Sequence, residues 1–141
     1  MSLLNIFDVS GSAMNAQSVR LNVTASNLAN ADSEASSSAA AYRSRHPVFA
    51  TLLKQTGGTE DNSAASAGVR VLGVVQSSQT PAKRYQPDHP LADSAGYVYS
   101  SNVNPIEEMT NMISASRSFQ GNVEVMTTAR DLLVKTLALG H

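Results

Sequence analysis

Large apolar residues recur every seven positions at both ends of the chain. Near the C-terminus, Met112, Phe119, Met126 and Leu133 form one row, and Met109, Val123 and Leu137 fill most of the alternate positions of the same stripe. Ser116 and Arg130 interrupt it. A seven-residue repeat keeps one face of a helix toward a partner, so the pattern predicts a coiled-coil seam. Asn104 is a good N-cap, Pro105 fits the first helical position, and Glu107 lies three past the cap. Glu107 and Glu108 put acidic charge at the positive end of the helix dipole. No proline follows before Gly140, a C-terminal stop, and Lys135 stands near the negative end. At 1.5 Å per residue, about 35 residues of helix reach about 52 Å. A helix of that length needs a partner of similar length.

The partner lies at the other end. Phe7, Met14, Leu21 and Leu28 also recur at seven, with Leu3 and Ala25 on the same face. The first thirty or so residues therefore predict a second long helix. Gly11 inside it costs roughly 1 kcal/mol relative to alanine, which predicts a weak point at Ser10–Ser12. A second stripe, Val9, Ala16 and Val23, lies about 160–200° round the helix from Phe7. The first stripe is expected to pack on the Met112–Leu133 face of the same chain. The second is expected to stay exposed on a lone chain and to be covered by neighbours, since a monomer seldom exposes an apolar patch that is not a contact site. The alternative is a closed bundle formed with the middle of the chain.

Asn27 to Asp32 carries the residues of a helix end and turn. Glu34 to Ala41 is Ser/Ala-rich, a loop or short weak helix. Pro47 forces His46 toward an extended backbone, and Val48-Phe49 can start a strand. Gln55 to Gly68, including Gly57-Gly58-Thr59, reads as a flexible loop. Val69 to Gln76 is the clearest strand, β-branched and nearly alternating. Pro81, Pro87 and Pro90 make the following stretch irregular, and Gly96 to Ser100 is a second short strand. The expected class is α+β: long N- and C-terminal helices paired as a coiled coil, with a small β-rich middle region. The expected segments are an N-terminal assembly helix over 1–32, a β-rich middle over 33–103 and a C-terminal assembly helix over 104–141.

Composition narrows the chemistry. At 141 residues the chain has room for one domain, or a small domain plus a helical module. A net charge of −1 gives no reason to expect nucleic acid or an anionic membrane as partner. The absence of cysteine excludes disulfides and thiolate metal sites. Charged residues make up only 15%, so a weakly charged surface with apolar helical rows suits a protein packed against copies or relatives. Residues Met1 to Asp8 have no basic region and no long apolar run, which predicts either a cytoplasmic protein or export without a cleaved signal.

Catalytic motifs are missing: there is no nucleophile elbow, phosphate-binding loop or zinc-protease helix. His46, His89, Asp88 and Asp93 are the one cluster to weigh as a metal or enzyme site, and their proline-rich setting fixes no ligand geometry. The expectation is no catalytic, cofactor or metal residue. Arg43, Arg45, Lys83 and Arg84 lack the interleaved aromatics of a nucleic-acid face. Met109, Met112 and Met126 at helical spacing are packing residues. The candidate assembly interface is then Phe7, Val9, Met14, Ala16, Leu21, Val23, Leu28, Met109, Met112, Phe119, Val123, Met126, Leu133 and Leu137.

The run Ala16-Gln17-Ser18-Val19-Arg20-Leu21-Asn22-Val23-Thr24-Ala25-Ser26-Asn27-Leu28-Ala29-Asn30 resembles the N-terminal signature of the bacterial flagellar rod and hook family, with its Asn-Leu-Ala-Asn ending. Ser114 to Val125, followed by Lys135-Thr136-Leu137, is similar to the C-terminal helix of that family. Tyr85-x-Pro87-x-His89-Pro90-Leu91-Ala92-Asp93 before Gly96-Tyr97-Val98, and Arg43 to Phe49, are most like its proximal rod members. The resemblance covers nearly the whole chain. Departures are the Ser/Ala-rich stretch after Asp32, the Asn104-Pro105 helix start, and Phe119-Gln120-Gly121 where Tyr-Gln-Ala is usual.

The resemblance implies a structural subunit of the rod that carries torque from motor to hook, with terminal helices stacking into a tube and the β region outside. It implies a rod crossing the periplasm and flagellar type III export without a cleaved signal. The implied partners are other copies, the other proximal and distal rod proteins, the adaptor joining rod to membrane ring, and the export apparatus. No cofactor, small-molecule substrate or nucleic acid is implied. The competing reading is a coiled-coil binding module or chaperone.

Overall fold

A computed structural model describes residues 3–54 and 66–139. In order, the elements are α1 (Leu3–Ala29), β1 (Glu34–Ala35), β2 (Arg45–Lys54), β3 (Ser66–Gln76), β4 (Ala82–Tyr85), β5 (Tyr97–Ser100) and α2 (Pro105–Leu139). The class is α+β, as the two seven-residue patterns and the short β-branched runs predict. The helices and strands β2 and β3 each contribute to two compact units.

The first unit takes the described residues of Met1–Val19, Val48–Gly73 and Ser114–His141. Here α1 runs through Gly11 without a break, so the expected weak point at Ser10–Ser12 does not interrupt the helix. Ser12 supports the passage: its hydroxyl donates to Val9 O (2.8 Å) and accepts from the backbone N–H of Val69 in β3 (3.1 Å). Ser10, Ala16, Ala115 and Ala129 are the unit's buried residues on the two helices.

The second unit takes Arg20–Pro47 and Val74–Ile113. Its sheet has the order β1-β5-β4, antiparallel throughout, with Glu34 opposite Ser100, and Lys83 opposite Tyr99. Strand β4 lies where the prolines predict irregular chain. Ala82–Tyr85 is exposed at every residue and sits on the sheet edge, so it shows no inward-facing apolar alternation; Lys83 and Arg84 are the kind of residue that blunts an edge. Strand β1 is two residues long and falls in the stretch expected to be loop or weak helix. Strands β2 and β3 pair with each other, and Ser77 N–H donates to Ser44 O (2.8 Å) at the end of that ribbon within this unit. Of the predicted flexible loop, 66–68 belong to β3, and 55–65 lie outside the described residues.

Val98 at the centre of the small sheet is the unit's most deeply buried apolar side chain. The loop before β5 is held by Asp93, whose carboxylate accepts from the N–H groups of Ala95 and Tyr97 (both 2.9 Å) and from Tyr99 Oη (3.3 Å). Gly96 follows with φ +78°, and a Cβ there would lie 2.9 Å from a ring carbon of Tyr85. Only glycine takes that conformation cheaply.

The end of α1 and the start of α2 form as predicted. Asn104 Oδ1 accepts from Ile106 N–H (3.1 Å) and Glu107 N–H (3.5 Å), which caps α2. At the end of α1, Asn30 Nδ2 donates to Ser26 O (2.8 Å), and Ala31 N–H donates to Leu28 O (3.2 Å).

Candidate assembly interface

The interior of the second unit is organised by a polar side chain. Asn27 is 1% exposed, and its amide makes four hydrogen bonds. Nδ2 donates to Arg45 O (2.8 Å) and Glu108 Oε1 (3.0 Å). Oδ1 accepts from Arg45 N–H (2.9 Å) and Tyr42 Oη (3.0 Å). That is the whole capacity of a carboxamide. One residue of α1 thereby holds the start of β2 and the first turn of α2. Arg20 Nη2 donates to Asn111 Oδ1 (2.9 Å), so here α1 and α2 run side by side and antiparallel. Sequence reasoning saw Asn27 as part of a helix stop. The signal it passed over is that Asn27, in the last turn of α1, shares the buried helix face of Thr24, where an amide needs partners.

The burial pattern corrects the expected stripes. In α2 the buried residues are Glu108, Ala115 and Ala129, seven apart or a multiple of it, with Asn122 half-buried between them. This row lies one residue earlier than the predicted alternate positions. Met109 (50% exposed), Val123 (41%) and Leu137 (68%) face outward instead. Met112, Phe119, Met126 and Leu133 are half-buried flanks of the row. In α1, Phe7, Met14, Leu21, Leu28 and Val23 are half-buried and Val9 is exposed, but Ala16 is only 4% exposed and so does not belong to an open stripe. Fully buried on α1 are Ser10, Ala16, Thr24 and Asn27. The physical reason is common to both helices: close helix approach selects small or hydrogen-bonded side chains, and bulky ones are pushed to the margins. Ile106, Ile113, Val125, Leu132, Val134 and Leu139 join the exposed set on α2.

Of the residues weighed for chemistry, His46, His89 and Asp93 make local hydrogen bonds. His89 Nδ1 accepts from Leu91 N–H (3.1 Å), and its Nε2 lies 3.1 Å from Glu34 Oε2. Arg84 lies 3.6 Å from the same carboxylate. Asp93 is held below the ordinary carboxylate range chiefly by the N–H of Tyr97, with help from Ala95, Tyr99 and the charge of Lys83, against a partial desolvation that raises it. His46 hydrogen-bonds Ser44 Oγ (3.3 Å). Among the described residues no group of three His, Cys, Asp or Glu is placed to hold a metal, and no helix is long and apolar enough to cross a membrane.

Two family models match the chain where its helices lie: flagella basal body rod protein over residues 7–34, and flagellar basal body rod FlgEFG protein C-terminal over 94–139. These two matches give the class, that of flagellar basal-body rod proteins. The chain is 48% identical to the flagellar basal-body rod protein FlgC of Escherichia coli O6:H1 (strain CFT073), over 141 residues and the full length of both. It is 48% identical to that of Salmonella typhimurium (strain LT2) and 49% identical to that of Yersinia enterocolitica, again over both full lengths. The chain belongs to the FlgC family of flagellar basal-body rod proteins.

Proposed function

We propose that this chain is a structural subunit of the proximal part of the bacterial flagellar rod, and that it polymerises through its terminal helices to transmit torque from motor to hook. The observation that carries the reading is the distribution of side chains on α2, where Glu108, Ala115 and Ala129 are buried and bulky apolar residues such as Ile106, Met109, Ile113 and Leu132 stand exposed. A monomer has no use for an apolar outer face, while a subunit buries it against neighbours. The full-length likeness to FlgC proteins supports the same reading. The assembly surface comprises Phe7, Val9, Met14, Leu21, Val23 and Leu28 of α1, together with the outward and flanking residues of α2 from Met109 to Leu137. Ala16 acts from beneath, by letting helices approach.

The partners are other copies, the other proximal and distal rod proteins, the adaptor between rod and membrane ring, and the type III export apparatus, reached without a cleaved signal. The rod stands in the periplasm as part of the basal body. The protein is not an enzyme and takes no small-molecule substrate, cofactor or nucleic acid. Purified basal bodies test this directly. The protein should copurify with the rod in a fixed ratio to other rod subunits, and cells lacking it should build no hook. Its absence from intact basal bodies refutes the proposal.

A further inference from the structure

We propose that α2 docks onto α2 of a second copy of this chain, ridge into groove, with Arg130 of one copy paired to Glu124 of the next. The inference rests on the assembly reading above and names the contact it uses. The groove lies within the first unit. Ile6, Gly121, Glu124, Val125 and Leu132 line it, and its volume is about 370 Å³. Glu124 is the one ionisable residue in its wall. Gly121 borders open space, since an added Cβ there would meet nothing within 4 Å.

The ridge is on the other side of the same helix. Val123, Arg130, Val134 and Leu137 are all exposed, and Arg130 is the one charge in that row. Val123 and Leu132 are nine residues apart, which at about 100° per residue is half a turn. A copy cannot place its own ridge in its own groove. A contact between two different faces is heterologous, so it propagates from copy to copy and does not close as a twofold dimer.

Charge identifies the occupant. The groove carries a single anion among mostly apolar residues, with Thr128 the other polar side chain in its wall; the ridge carries a single cation among Val123, Val134 and Leu137, with Thr127 beside it. Neither Glu124 nor Arg130 has an ion-pair partner among the described residues. A second copy supplies the missing partner to both. Opposite charges at a contact suppress wrong partners and fix register. The break in the seven-residue row at Arg130 is then the register mark of the contact.

The test uses the full-length chain, which has no cysteine of its own. Glu124→Cys and Arg130→Cys copies are expressed together in flagellated cells lacking the native copy, and basal bodies are isolated under mild oxidation. Mixed copies should yield a covalent dimer, a chain carrying both changes should yield a ladder, and each change alone should yield neither. A dimer from Glu124→Cys alone, or no crosslink in assembled basal bodies, overturns the proposal. So does capture of a different rod protein at Glu124 by a photoreactive crosslinker. In parallel, Glu124→Arg and Arg130→Glu should each abolish swimming, and the two together should restore it. Motile single variants, or a double variant that stays immotile, overturn the pairing. Presence in the basal body is scored on the same material. If the protein is there and the crosslinks fail, the pairing alone is wrong; if it is absent, the rod reading falls as well.

Discussion

Replacing Asn27 with alanine tests the polar centre of the second unit. The change strips partners from four groups at once: Tyr42 Oη–H, Arg45 N–H, Arg45 C=O and a carboxylate oxygen of Glu108. A buried polar group left unmatched costs about 1–3 kcal/mol, and more if charged. Tyr42 has some relief, because Ser26 Oγ lies 3.2 Å from its hydroxyl. Arg45 is largely exposed, so water can reach part of its backbone. With those discounts the loss is on the order of 4 kcal/mol, a large part of the 5–15 kcal/mol that holds a typical domain. The chain offers a selective probe. It has four tyrosines and no tryptophan, and Tyr42, Tyr85, Tyr97 and Tyr99 all lie in the second unit, so tyrosine fluorescence during urea unfolding follows that unit alone. Asn30→Ala is the control. It loses one side-chain bond, to Ser26 O, and should cost about 1 kcal/mol. Asn27→Asp should be worse than alanine, because it sets a second carboxylate against Glu108, and adding Glu108→Gln should recover part of the loss. An Asn27→Ala protein within about 1 kcal/mol of the parent, or no less stable than Asn30→Ala, refutes the clasp.

Gly96→Ala should destabilise the second unit by about 2 kcal/mol, from its positive φ and the close approach to the Tyr85 ring, read as a lower urea midpoint in tyrosine fluorescence. The depressed pKa of Asp93 means the folded state favours its ionised form. That contribution is fully present above the ordinary value of 3.8 and is lost as pH falls through the lower folded-state pKa. Asp93→Asn should flatten this acid-limb dependence in denaturation curves taken from pH 5 to pH 2. Phe119→Asp should be secreted but build no rod, since a carboxylate in a contact between subunits costs several kcal/mol unless paired; swimming cells refute the role given to Phe119.

What the sequence revealed depended on the kind of signal each residue carries. Asn104-Pro105 and the long proline-free run mark α2 locally, so its start was readable to the residue. Val69–Gln76 and Tyr97–Ser100 are β-branched or aromatic enough to read as strands. By contrast β4 is exposed at every position, and β1 consists of two residues whose pairing with Tyr99 and Ser100 lies some 65 positions away. Neither has a local pattern to detect. The helix faces were misjudged for a related reason. A search for large apolar residues finds the outer rows, whereas the inner row is Ala115, Ala129, Ser10 and Thr24, whose small size is their fitness for the place. Asn27 was legible as a motif residue but not as a core residue, because its four partner groups come from three residues in two distant segments, Tyr42 to Arg45 and Glu108.

The inverted packing of the helices also has a thermal consequence. Exposing apolar surface raises heat capacity, and burying it lowers it. Because many bulky side chains of α2, among them Ile106, Ile113, Val134 and Leu137, are already in water in the folded subunit, unfolding should carry a smaller heat-capacity increment than the usual 12–15 cal/mol/K per residue. The missing increment belongs to polymerisation, which should show a markedly negative heat-capacity change. A contact driven this way is largely entropic near room temperature and weakens on cooling. Polymer built from this chain should therefore shed subunits in the cold and regain them on warming, while the individual subunits stay folded throughout.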